Sequence, residues 1–507
     1  MSEARPNARW LRHSHIWAPI FIGLLAASVS VARSGVPGLW RDEVSTQVMV
    51  TRPLDELWRS LGSIDAVHGG YYLLMKAWLM AAGEASPLSL RLPSAIMVGL
   101  AAALVVVLGR RLASLWAGVL AGLVFLALPR VTWMGAEARS AALATALVTL
   151  SVLLWLIAMG RSARASRNGE ALAWVSFAGA AGASVAVYIY SALALLALPL
   201  AMLVARSSRR TWIWFLGATG LGALVAAPVL LRVPAQQSQV AWIQRPTLAT
   251  LAELPRDVWF PGDDYLILVA WLVVALAVAG LWLALAKAAR PEPAGTRECV
   301  GALGFGVLLL GWTLLPVVLL VGYSFVGTPM YVARYLAITA PGLALSLGIG
   351  LAGMRPRWAG ALATLVIVAL GAQPWWQSRQ VDSKSPTYSV ASYVGRQDTT
   401  HAAVLFETLG PTGGSTRIAQ LAYPEDFAGL PDLNLGSGPA SNRIWAAEVP
   451  LSSVPARLDG IRRVWLVGYV RPLAAARADI ATLWSHGFRP KSTRSFTSGW
   501  IVVLYER

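Results

Sequence analysis

The chain of 507 residues is 56 % apolar and only 13 % charged, with a mean hydropathy of +0.59 and uncharged runs of 15 to 25 residues recurring along most of it, which excludes a water-soluble globular enzyme and defines a polytopic membrane protein. A single cysteine, Cys299, excludes an intramolecular disulfide and a CxxC metal site. The net charge of +17 fits nucleic-acid binding in a soluble protein and orientation in a membrane protein, so the placement of the basic residues decides between the two.

The first apolar run, "HIWAPIFIGLLAASVSVA", follows Arg5, Arg9 and Arg12. It is too long for a signal core and precedes many further spans, so it reads as a retained first helix. Spans are expected near 15–33, 88–109, 113–132, 138–160, 171–187, 191–205, 211–231, 265–286, 300–322, 335–354 and 358–375, about eleven in all. The stretch "YYLLMKAWLMAAG" (71–83) is short and contains Lys76, so it is expected to lie along the interface within the first outer loop.

With the N-terminus inside, alternate loops carry Arg110 and Arg111; Arg161, Arg164 and Arg167; Arg206, Arg209 and Arg210; Lys287, Arg290 and Arg297; and Arg355 and Arg357. Together with the N-terminal arginines these make sixteen basic residues on one side, against the acidic Glu3, Glu170, Glu292 and Glu298. Lys and Arg concentrate in cytoplasmic loops, so the expected localisation is a multi-pass cell-membrane protein with a cytoplasmic N-terminus and residues 376–507 extracytoplasmic. The positive charge is thereby accounted for by topology. No glycine-rich phosphate loop or nucleic-acid motif is present, and no nucleic-acid partner is expected.

Trp375 and Trp376 are expected in an interfacial aromatic belt. Beyond "QPWWQSRQ" (373–380) the composition becomes that of a soluble domain. "HAAVLFET", "RRVWLVGYV" and "GWIVVLYER" have the pattern of β-strands, and "PLAAARADIATLWSHGF" that of a helix leading into a strand. The expected fold class is a polytopic α-helical membrane protein with a C-terminal extracytoplasmic α/β domain, divided into 1–375 and 376–507.

Four groups fall on the predicted outer surface: Asp42 and Glu43 with Arg41; Asp65, His68, Tyr71, Tyr72 and Lys76; Glu137 and Arg139; and Tyr331, Arg334 and Tyr335. Ionisable residues at a span boundary are costly unless paired or functional, and carboxylates near Arg, Lys and His point to an acid/base pair beside an anion site. Each group also has a structural reading. Asp42 fits a helix start, Glu137 and Arg139 a solvated turn, and His68 a structural hydrogen bond. Arg334 fits a headgroup anchor, and Tyr71 and Tyr72 an aromatic belt.

The strings "WRDEVST" after the first span, "HGGYYLLMKAW" and "SLRLPSA" further on, "EARSAAL" opening the fourth span and "ARYLAITAPGLAL" opening a late one resemble GT-C glycosyltransferases of family 39, relatives of protein O-mannosyltransferases and the lipid A aminoarabinose transferase. The resemblance covers roughly 15–375 and leaves the C-terminal region unmatched. Many bacterial members read His-Pro-Pro-Leu-Tyr-Tyr where this chain has His68-Gly69-Gly70-Tyr71-Tyr72.

The resemblance implies a polyprenyl-phosphate sugar as donor, with mannose favoured and pentoses open. The implied acceptor is an extracytoplasmic glycan, glycolipid or protein, and membrane lipids are the surroundings. It assigns Asp42 as general base, Glu43 to orienting the acceptor or backbone, and Glu137 to a second acidic position. His68, Lys76, Arg139 and Arg334, with Tyr71 and Tyr72, are assigned to the donor and its phosphate. No cofactor is implied with certainty, and a divalent cation held by Asp42 with Glu137 stays open. The competing readings are a transporter of lipid-linked glycans, against which stand the absence of internal repeats and the rim placement of the charges, and a glycan polymerase or ligase.

Overall fold

The computed structural model describes residues 8–163, 169–288, 300–407, 415–437, 443–472 and 474–507. Cys299 and the loop charges Glu3, Arg5, Arg164, Arg167, Arg290, Glu292, Arg297 and Glu298 lie outside the described residues.

Two compact units form. The first comprises residues 1–32, 67–71 and 91–376, and the second 33–66, 72–90 and 377–507. The units do not follow the expected division into 1–375 and 376–507, because the segments flanking residues 67–71 pack with the C-terminal region. These segments carry short helices, Arg41–Thr51 and Leu54–Ser63, whose polar and charged residues suit them to a soluble core.

Among the described residues, eight helices are long and apolar enough to cross a membrane: Ser14–Val31, Pro87–Leu112, Ala141–Ala163, Glu170–Val187, Arg209–Leu230, Gly301–Val326, Ala333–Ala352 and Arg357–Gln377. Three shorter apolar helices among the described residues are Leu115–Ala127, Ser191–Val204 and Leu266–Trp282. All correspond to expected spans, with the one near 113–132 ending earlier, at Ala127. Pro129 then opens a separate short helix, Pro129–Met134, because a proline suits a first helical turn better than a helix interior.

Helices in lipid gain little from apolar burial against one another and associate through close packing of small residues. Here a Cβ on Gly109 would lie 2.5 Å from the Cα of Gly118, and one on Gly348 2.5 Å from the Cβ of Ala121. The buried Trp155, Trp174 and Trp312 fill the interior of this unit, whereas Leu216 and Leu224 are exposed on its outside, as the lipid-facing side of a membrane helix requires.

The second unit contains a four-stranded sheet in the order β1-β2-β4-β3, with β1 Ala402–Phe406, β2 Arg463–Tyr469, β3 Arg489–Ser495 and β4 Trp500–Glu506. β1 and β2 run parallel, whereas β4 is antiparallel to both β2 and β3. Strands β1, β2 and β4 are the three apolar runs read from the sequence. Leu405, Leu466, Val503 and Phe488 form the core with Leu483 of helix Ala474–Ser485. The edge strand β3, "RPKSTRS", is exposed throughout and so lacks the apolar alternation that marks a half-buried strand.

Candidate active-site residues

In the helical unit, His68 closes the 3₁₀ turn Ala66–His68. A guanidinium nitrogen of Arg139 lies 2.7 Å from His68 Nε2, and Ser140 Oγ lies 3.4 Å from His68 Nδ1. Arginine is a donor only, so Nε2 accepts and the imidazole proton sits on Nδ1, facing Ser140. In this arrangement His68 is a neutral acceptor that orients Arg139, not a second cation. Ser94 Oγ donates 2.6 Å to the Glu137 carbonyl and holds the turn that carries Glu137 and Arg139. Glu137 is 4 % exposed, so the turn is not simply solvated. Tyr71 is buried in the same unit.

Arg334 lies in the 3₁₀ turn Ala333–Thr339, ahead of helix Ala340–Ala352. Two buried tryptophans clamp the turn: Trp259 Nε1 donates 2.9 Å to Thr339 Oγ1, and Trp312 Nε1 donates 2.9 Å to the Ile338 carbonyl. The Arg334 guanidinium lies 5.6 Å from the ring centre of Tyr335 and 6.0 Å from that of Trp242, within cation–π range. Tyr335 in turn stacks on Tyr190 at 4.7 Å.

Arg130, which the sequence reading passed over as part of a span, belongs to the same electrostatic neighbourhood. Its Nε donates 3.1 Å to the Val258 carbonyl, and a second nitrogen donates to the Asp257 carbonyl. Burial holds Arg130 down to about 10, with Glu137 opposing that shift and Arg334 adding to it, and it remains charged at neutral pH. The only sequence signal was an arginine interrupting an apolar run.

In the second unit, Asp42 and Glu43 occupy the first turn of helix Arg41–Thr51, where negative charge complements the helix dipole. Their surroundings differ. Glu43 is fully buried: one carboxylate oxygen lies 3.4 Å from Lys384 Nζ, and the other accepts from the Trp40 N–H at 3.4 Å. Asp42 is only partly buried.

The loop before this helix is stitched to the C-terminal region. Gly38 N–H donates 2.9 Å to the Val381 carbonyl, Thr387 Oγ1 donates 2.7 Å to the Leu39 carbonyl, and Tyr423 Oη accepts from Leu39 N–H at 3.2 Å. Gly38 has no room for a side chain, since a Cβ there would lie 2.8 Å from the Ser385 carbonyl oxygen. Lys384 was not among the sequence candidates because it lies beyond the last span, in a stretch with no recognisable pattern.

Two expected donor-site residues make intramolecular contacts in this unit. Tyr72 is buried and donates to the Asp65 carboxylate. Lys76 Nζ donates to the Val50 carbonyl at 3.2 Å and to the Arg52 carbonyl, capping the end of helix Arg41–Thr51. Its helix, Gly69–Ala82, coincides with the short helix expected from the sequence. Among the described residues no three His, Cys, Asp or Glu side chains cluster in a way that could hold a metal ion.

This architecture is that of a multi-pass α-helical membrane protein with an associated α/β unit. The crystal structure of ArnT from Cupriavidus metallidurans in the apo state matches it with a TM-score of 0.58 at 14 % identity, covering 96 % of this chain and 97 % of that one. ArnT from the same organism bound to undecaprenyl phosphate matches with a TM-score of 0.54 at 13 % identity, covering 97 % and 98 %. The chain therefore shares the fold of these ArnT structures. The likeness takes in the C-terminal region that the sequence motifs left unmatched. No protein-family model and no curated protein matches the sequence.

Proposed function

We propose that the chain is a membrane glycosyltransferase that moves a sugar, with mannose favoured, from a polyprenyl-phosphate carrier to an extracytoplasmic acceptor hydroxyl, with Asp42 as general base. The observation that carries this reading is the unequal placement of the acidic pair. Glu43 is buried against Lys384 and serves to hold the helix start, whereas Asp42 on the same turn keeps access to solvent. The GT-C fold and the polyprenyl phosphate bound by ArnT support the choice of donor class.

In the proposed step the acceptor oxygen forms a bond to sugar C1 as Asp42 takes its proton. The bond from C1 to the phosphate oxygen breaks, and its electron pair leaves on the lipid phosphate. A positioned base contributes roughly 10²–10⁴-fold to such a step, because a neutral hydroxyl is a weak nucleophile. Arg139, oriented by His68, and Arg334 are assigned to the leaving phosphate, whose growing charge fixed cations stabilise by about 3 kcal/mol per contact. Glu137 is assigned to sugar or acceptor binding, and Tyr71 to the donor side. Tyr72 and Lys76 are assigned to shaping the donor segment through their contacts with Asp65 and with the end of helix Arg41–Thr51.

The test is to incubate membranes containing the protein with polyprenyl-phosphate sugars labelled in the sugar. Label is expected in a new glycosidic bond, with mannose transferred best among the sugars offered. Label that crosses the bilayer without forming such a bond would overturn the reading in favour of transport.

A further inference from the structure

The second unit contains a groove of about 790 Å³ between helix Thr387–Gly395 and the end of β3 with the turn that follows it. That volume suits a small organic ligand and far exceeds an inorganic anion. Arg494 lies 4.7 Å from the ring centre of Tyr393 and 5.7 Å from that of Phe496, and the two rings meet edge to face at 5.9 Å. Arg396 is exposed on the same lining.

Among the described residues Arg494 has no hydrogen-bond or ion-pair partner, and Arg396 has Asp426 as an electrostatic neighbour. The lining has one carboxylate, Asp382, which accepts from Ser389 Oγ at 2.7 Å. The lining itself is net positive, with aromatic rings and hydroxyls beside two guanidiniums, and Asp426 behind Arg396 leaves Arg494 as the less compensated cation. A guanidinium stacked on a ring keeps its N–H edge available for a carboxylate or phosphate, while ring faces suit the C–H face of a pyranose.

We propose that this groove binds an acidic oligosaccharide, its anionic groups held by Arg494 and Arg396 and its sugar rings by Tyr393 and Phe496. Its identity as the acceptor of the transfer rests on the function proposed above; the binding does not.

Isothermal titration of the full chain in detergent, without donor, tests the binding with a galacturonic acid tetrasaccharide, the corresponding neutral galactose tetrasaccharide and inorganic phosphate. The acidic tetrasaccharide is expected to bind at least tenfold more tightly than either other probe, and rising salt to weaken it. Arg494→Ala is expected to reduce its affinity at least tenfold. Arg396→Ala, at an exposed position outside the aromatic cluster, is expected to reduce it severalfold with the thermal stability of the protein unchanged. Equal affinity for the neutral tetrasaccharide, phosphate binding as tight as that of the tetrasaccharide, or unchanged affinity in the Arg396→Ala/Arg494→Ala double variant would each overturn the proposal. Because no donor is present, these results stand whether or not the chain transfers sugar.

Discussion

Lys384 Nζ lies 3.4 Å from Glu43 Oε1, and both side chains are fully buried although the residues are 341 positions apart in sequence. Removing one member of such a pair leaves an uncompensated charge in a low dielectric, which typically costs about 3–5 kcal/mol. Lys384→Met is therefore expected to destabilise the protein strongly. The Glu43→Gln/Lys384→Met double variant is expected to recover much of the loss, because no buried charge is then stranded. Thermal unfolding of the four corners of this cycle in detergent measures the coupling. Additive effects would show that the two residues act independently.

Asp42→Asn is expected to lower transfer by about 10²–10⁴-fold while leaving donor affinity and stability near wild type, since a lost base harms the transition state more than the ground state. Turnover under saturating donor, measured beside donor binding, separates the two effects. Activity within tenfold of wild type would remove Asp42 from the proposed role.

Arg334 presents a planar guanidinium between Tyr335 and Trp242. Arg334→Lys keeps the charge but loses the two-pronged hydrogen bonding that an arginine offers a phosphate. If Arg334 meets the donor phosphate, Lys should be distinctly worse than Arg, and Ala worse still, in both donor affinity and turnover. A lysine variant as active as wild type at subsaturating donor would instead identify Arg334 as an interfacial anchor, because either side chain reaches headgroups.

The distribution of loop arginines predicts that a reporter fused after residue 507 is extracytoplasmic and one inserted within 163–168 is cytoplasmic. Paired alkaline phosphatase and fluorescent-protein fusions read this directly. Fluorescence of the C-terminal fusion in the cytoplasm would place the acidic pair on the wrong side for a lipid-linked donor presented outside.

The apolar helices were legible because a bilayer demands it: a spanning helix must satisfy its backbone internally and present apolar side chains over a fixed thickness, and both demands act on consecutive residues. Strands β1, β2 and β4 were legible for a related reason, as buried apolar runs, whereas the exposed edge strand β3 carries no apolar run and was expected only as the strand that the helix before it leads into. The charged candidates could be named from sequence because ionisable groups stand out against an apolar background. What each does is a matter of three-dimensional neighbours. Nothing in "WRDEVST" distinguishes Glu43 from Asp42; the difference comes from Lys384, which local patterning cannot connect to it. Likewise nothing local to His68 shows which group its imidazole meets; that comes from Arg139, 2.7 Å from Nε2. The sequence by itself determined the membrane class, the helices and the identity of the candidate groups, since those follow from local composition. Only the tertiary structure decided which carboxylate is locked and which stays accessible, and that the loop carrying them packs with the C-terminal region, because burial and pairing depend on contacts between residues hundreds of positions apart.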